Sequence, residues 1–153
     1  MYLLDNPLRP YAWGSTTAIA GLLGRTPSGG PEAELWLGAH PDSPSRTVLR
    51  DGSTGGLDAL IASDPERMLG AAVGSGFAGK LPYLMKVLAA AAPLSLQVHP
   101  SLDEARAGFA AENHSGVAMD AAHRNYRDSN HKPEMIFALS DFEALCGFRP
   151  ASE

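Results

Sequence analysis

Cysteine is nearly absent from this chain of 153 residues: Cys146 stands alone, so no internal disulfide can form, and a reducing, cytoplasmic setting is expected. Cations are scarce as well. Twelve Lys and Arg against 17 Asp and Glu leave a net charge of -5, and the basic residues are scattered singly, which argues against nucleic acid and anionic lipid as partners. No long apolar run is present, since the longest, "LMKVLAAAAPLSL", carries Lys86 and is broken by Pro93 before it could cross a bilayer. The start, "MYLLDNPLRP", lacks the charged head and apolar core of a signal peptide. No repeat, low-complexity tract or domain boundary stands out. What is there is 44% hydrophobic residues in a chain of single-domain size, enough to bury a core.

Six short segments read as strands: 34–40, 46–50, 83–90, 94–99, 134–139 and 142–148, several of them β-branched or aromatic, or bounded by Gly and Pro. Three helices are expected between them. One starts at Ser15 with Ile19, Leu22 and Leu23 on a stripe; one runs over "LDALIASDPERMLG" with a Ser63-x-x-Glu66 capping box; one runs over "SLDEARAGFAAEN" with Ser101 and Glu104 as its box. The stretches 24–33, 41–46, 51–56 and 111–132 read as loops. The fold class expected is mainly β with short surface helices.

"GSGFAGK", Gly74 to Lys80, imitates a phosphate-binding loop, but Leu81 follows where a magnesium-binding hydroxyl is needed and Pro82 where a helix should begin. A flexible glycine loop leading to Tyr83 is the better reading. The run "LSLQVHP" is more informative. Leu94, Leu96 and Val98 alternate with Ser95, Gln97 and His99, the period of a half-buried strand, so the three polar groups share one face about 7 Å apart in sequence steps of two. "NHKPEM", residues 130 to 135, adds a second set: Pro133 forces Lys132 to extended geometry, and Glu134 then shares its face. If the two strands are neighbours, Gln97, His99 and Glu134 form an O, N, O set of the kind that holds zinc. The pattern alone equally allows a satisfied core histidine and an unrelated surface glutamate.

The whole chain resembles the N-terminal portion of the type I mannose-6-phosphate isomerases, or phosphomannose isomerases, through "YAWGS" at 11–15, "AELWLGAHPDSPS" at 33–45, "LPYLMKVLAAAAPLSLQVHP" at 81–100 and "NHKPEMIFALSDFEALCGFRP" at 130–150. These are zinc enzymes with a cupin-type β-fold. The resemblance implies a partial jelly-roll, with residues 1–153 as the N-terminal part of the catalytic domain, and it implies Gln97, His99 and Glu134 as ligands of one zinc ion. It also implies a fourth ligand, a histidine, and a substrate-side arginine beyond Glu153. The chain alone is therefore expected to be inactive, and its uncovered strand edges to favour self-association. His40, His114, His123 and His131 fall where the family has no ligand and are expected to be structural or solvated.

The reaction implied is interconversion of mannose 6-phosphate and fructose 6-phosphate through a cis-enediol(ate). It needs an acid/base to move a proton between C1 and C2 and an electrophile for the charge growing on the sugar oxygen. Lys132 is the leading proton-transfer residue, since a nearby divalent cation destabilises its ammonium form. By resemblance Lys86 and Ser95 face the substrate cleft, and Trp13 and Glu34 line it; ordinary core packing competes for Trp13. The alternative is a non-catalytic module that binds a metal or a sugar phosphate.

Overall fold

The computed structural model describes every residue except Arg50, Phe148, Ala151 and Glu153. It divides into two compact units, Met1–Ser95 and Leu96–Glu153, so the division falls inside the "LSLQVHP" run, where the sequence offered no boundary.

The first unit is built on a three-stranded antiparallel sheet of β1 (Leu8–Arg9), β2 (Glu34–Leu37) and β5 (Met85–Leu88), with β2 in the middle. Its register sets Leu8 opposite Leu35 and Leu35 opposite Val87, while Arg9 faces Glu34 and Trp36 faces Lys86. Because side chains alternate across a sheet, one face collects Leu8, Leu35 and Val87 and the other collects Arg9, Glu34, Trp36 and Lys86. A second, two-stranded sheet pairs β3 (Arg46–Val48) with β4 (Thr54–Gly56). The buried Thr47 of this sheet and Ser45 just before it are polar but satisfied: Ser45 Oγ donates to Asn6 Oδ1 at 2.7 Å and accepts from Gly38 N, and Thr47 Oγ1 donates to Leu3 O. The apolar core is small, with Ile19 and Ala20 of α1 (Ala18–Leu22), Ala33, Leu35 and Trp36, and Ile61 of α2 (Leu57–Ser63).

Gly14 explains why "YAWGS" carries a glycine. A Cβ there would lie 2.5 Å from the Ala33 Cα, so the 11–15 segment can lie on the approach to β2 only without a side chain at this position. The segment is pinned by Ser15 N donating to Ala89 O and Glu32 N donating to Ser15 O. Glu32 itself is 1% exposed and accepts two hydrogen bonds from the Arg25 guanidinium and one from Ser28 N, which ties the 24–32 loop down. Burial pushes this carboxyl up, but the hydrogen bonds from Ser28 and Arg25 outweigh it and hold it below its ordinary value.

The helical expectations are met in part: α1 starts at Ala18 and not at Ser15, and of its expected stripe only Ile19 is buried, Leu22 and Leu23 being exposed. The segment from Leu57 is two helices, α2 and α3 (Pro65–Leu69), because Pro65 cannot donate into a continuing helix; the cap is Asp64, whose side chain accepts from Arg67 N, and not the expected Ser63 box. A further helix, α4 (Ala71–Gly76), takes up the start of the expected glycine loop. In the second unit α5 (Leu102–His114) has the expected box, with Ser101 and Glu104 satisfying each other's backbone N–H. Beyond it, the stretch read only as a polar loop is organised around Arg124. This buried guanidinium donates to Val117 O, Tyr126 O and Asn113 Oδ1 and lies 5.2 Å from the Phe109 ring centroid. Glu112 accepts from Asn125 N and Tyr126 N, which with Arg124 holds its carboxyl low against the opposing effect of burial. The Tyr126 ring packs against Gly108, where a Cβ would meet it at 2.4 Å.

The mainly β expectation holds only in part, since five short strands stand beside five helices among the described residues. Segments 34–40, 46–50 and 83–90 each contain a strand, although Arg50 lies outside the described residues. Segments 94–99, 134–139 and 142–147 do not form strands; residue 148 lies outside the described residues. The faces expected to be buried are open: Leu96 is 91% and Met135 97% exposed, and Val98, Phe137 and Leu139 are also exposed. Alternation says which side chains share a face; a strand also needs a neighbour to accept its N–H groups, and none is present among the described residues. Two strands escaped the sequence reading. β1 is only two residues, and β4 is Thr-Gly-Gly, whose composition reads as loop.

Candidate functional site

In the first unit the polar face of the three-stranded sheet carries a connected set of charges around one indole. Trp36 Nε1 donates to Glu34 Oε2 at 2.7 Å, and the same oxygen lies 3.5 Å from Lys86 Nζ. Strand alternation puts Glu34 and Trp36 on one face, and the cross-strand register delivers Lys86 to it. The ammonium also stands 4.6 Å from the Trp36 ring centroid, and the Arg9 guanidinium stands 5.1 Å from it. Glu34 is buried, so its charge would be costly without these partners; Lys86 keeps about a third of its side chain in solvent. Although Lys86 stands among apolar neighbours in "YLMKVL", its ammonium is both paired and accessible. Trp13 stacks on Tyr11 with centroids 5.7 Å apart and its carbonyl accepts from Ala91 N, so it is tied into this unit. Ser95 is exposed at the end of the unit.

In the second unit the two segments flanking α5 meet. His99, two residues before the Ser101 cap, places Nε2 3.4 Å from Glu134 Oε1. The loop held by Arg124 brings residue 134 back toward the start of the helix, which is why 35 residues of separation do not keep the two apart. Two donors bound to one tetrahedral ion at about 2.0–2.2 Å stand about 3.4 Å from each other, so this pair has the spacing a shared zinc ion requires. Gln97 and Lys132 lie on the same two segments and are exposed. Among the described residues no three His, Cys, Asp or Glu side chains gather into a cluster; a third donor here would be the Gln97 amide oxygen.

The remaining histidines have other surroundings. His40 packs edge-on against Trp36 at 5.1 Å, His114 closes α5, and His123 and His131 are exposed. Trp36 and Arg9 were not singled out in the sequence, although Glu34 and Trp36 show the same two-residue spacing that drew attention to Gln97 and His99.

The sequence profile of the phosphomannose isomerase type I catalytic domain matches residues 1–151. The chain belongs to this family. Over its whole length it is 52% identical to mannose-6-phosphate isomerase of Escherichia coli strain K12 and 38% identical to that of Mus musculus, spanning 39% and 36% of those proteins. Among solved structures, mannose 6-phosphate isomerase from Salmonella typhimurium bound to fructose 6-phosphate and zinc is similar, with 50% identity and a TM-score of 0.77 over 86% of this chain and 33% of that one. The chain thus spans well under half the length of these relatives. No helix among its described residues is long and apolar enough to cross a membrane.

Proposed function

We propose that this chain supplies the N-terminal part of the catalytic domain of a zinc-dependent mannose-6-phosphate isomerase, interconverting mannose 6-phosphate and fructose 6-phosphate through a cis-enediol(ate). The observation that carries this is the 3.4 Å approach of His99 Nε2 to Glu134 Oε1, in a chain whose similar relatives include a zinc- and substrate-bound isomerase. His99, Glu134 and Gln97 would hold the ion. When bound, zinc acts as an electrophile for charge growing on the sugar oxygen, and a neutral Gln97 ligand keeps it more positive than a second carboxylate would.

The chain's own residues divide the remaining work. Lys132, two residues before Glu134, moves the proton between C1 and C2 of the sugar. Lys86 binds a sugar or phosphoryl oxygen with the N–H groups that Glu34 leaves free, and Ser95 adds a hydroxyl. Trp13 contributes an apolar wall. Glu34 acts through Lys86, since its carboxylate is occupied by Trp36 and the ammonium.

The fold reading that goes with this is a cupin-type jelly-roll completed by segments beyond this chain. It is supported by the exposed apolar side chains of 94–99, which alternate as in a strand, and of 134–139, neither segment having a strand partner among the described residues. The isolated chain is expected to self-associate through them. The exposed, unpaired Cys146 fits a cytoplasmic setting. The test is to follow fructose 6-phosphate formation in a coupled assay by a family-length protein carrying this chain, with zinc measured by elemental analysis, and by residues 1–153 alone. Turnover is expected only from the former. A zinc-loaded family-length protein without turnover rejects the function, and turnover by residues 1–153 alone rejects the partition of roles.

A further inference from the structure

Lys86 sits on a four-carbon stem with about a third of its side chain in solvent, so nothing in its own chemistry fixes where the ammonium stands. Its neighbours do. Trp36, directly opposite in the antiparallel register, presents its ring 4.6 Å below Nζ and uses its indole N–H to hold Glu34 Oε2, the oxygen that reaches Nζ at 3.5 Å. One side chain therefore controls the ammonium twice, by the ring face and by aiming the carboxylate. Arg9, opposite Glu34 in the register, approaches the same ring at 5.1 Å, so two cations and one carboxylate share this face, an excess of one positive charge. A carboxylate left without the indole N–H would be free to turn, and the ammonium would follow it or move into solvent.

We propose that Trp36 is a positioning residue for substrate binding: it sets the ammonium of Lys86 at a fixed place on the sheet face, through its ring and through Glu34, so that the remaining N–H donors meet an anionic sugar phosphate preoriented. The proposal rests on the reading of Lys86 as a substrate contact. Phe at position 36 keeps an aromatic ring near the ammonium and removes the indole donor together with part of the buried ring; Met at position 86 keeps the apolar stem and removes the charge.

The experiment is a double-mutant cycle on the family-length protein, using mannose 6-phosphate and reading KM and kcat separately. Lys86→Met is expected to raise KM at least tenfold, Trp36→Phe about tenfold, the scale set by loss of one hydrogen bond to a charged group, and the double variant no further than Lys86→Met. Zinc content is expected to stay unchanged throughout. In parallel, nitrogen-15 spectra of residues 1–153 read the two indole N–H signals directly. That of Trp36 is expected to move and exchange faster in Glu34→Gln while that of Trp13 stays in place, a readout that needs no activity and survives if Trp36→Phe folds poorly. An unchanged KM in Lys86→Met overturns the substrate role of Lys86, and the inference with it. A raised KM in Lys86→Met with additive effects in the double variant, or a Trp36 signal indifferent to Glu34→Gln, overturns the positioning role and leaves that of Lys86 intact.

Discussion

The two units assemble their charged groups in different ways. In the first, Glu34, Trp36 and Lys86 are carried by paired strands, so backbone hydrogen bonds fix their spacing and the buried carboxylate finds its partners as a consequence of register. In the second, His99 and Glu134 are carried by segments outside any ladder, both are open to solvent, and the loop held by Arg124 brings them together. A site built on a sheet stands preformed. One built on loops depends on whatever ties the loops, and a metal ion bound between two such segments is itself one of the ties.

The comparison predicts where each unit breaks. Removing a ligand charge should matter most on the loop-built side: Glu134→Gln is expected to weaken zinc binding by residues 1–153 by about 100-fold or more, since even groups that merely support ligands are worth about 10–100-fold. Competition with a chromogenic chelator measures this, and unchanged affinity would remove Glu134 from the ligand set. Next comes Arg124→Met, which deprives two backbone carbonyls and Asn113 of a buried donor and is expected to cost about 2 kcal/mol or more. Hydrogen exchange should then show protection lost in α5 and the 115–130 loop, with the three-stranded sheet unaffected; uniform loss over both units would show that they do not fold independently.

Acid should act on both units alike. Glu32 in the first, and Glu104 and Glu112 in the second, have carboxyl groups below their ordinary values, Glu104 chiefly through its hydrogen bonds with Ser101. The unfolded chain therefore takes up protons first as pH falls. Stability from these groups is complete above the ordinary glutamate value of about 4.3 and is lost as pH falls through the lowered ones. Thermal melts by circular dichroism at pH 7, 5 and 3 should show little change over the first step and a marked drop over the second. The smallest effect is expected of Ser101→Ala, about 1 kcal/mol from the lost cap, with fraying at the start of α5 and zinc affinity within about threefold of the parent, because His99 lies outside the helix. A larger loss of zinc would mean that the cap itself orients His99.

Much of this was legible in the sequence. The Ser101 to Glu104 box, the strand cores at 34–37, 46–48 and 85–88, and the pairing of His99 with Glu134 all follow from local rules or from family resemblance. What escaped was of another kind. Arg124 sits in a polar stretch with no periodicity, and its importance comes from carbonyls that only the folded loop turns toward it. Trp36 reads as one more apolar strand residue until Lys86 arrives from a strand 50 residues on. Pro65 and Asp64 could have shown the break between α2 and α3, since proline at a first helical turn with an acidic cap before it is a local signal.

By itself, then, the sequence determined the local geometry: which residues alternate, where helices begin, where glycine is obligatory once a close approach exists, and which donor types are available for zinc. Tertiary structure alone decided which of those faces met a partner. The alternation at 94–99 is regular and the 134–139 segment is apolar from Met135 to Leu139, yet neither has a strand neighbour among the described residues, whereas β2 has one on each side. The physical reason is that periodicity is a property of one chain segment, fixed by its own dihedral angles, whereas burial and a hydrogen-bonded ladder are properties of two segments and exist only when a second one is there to complete them.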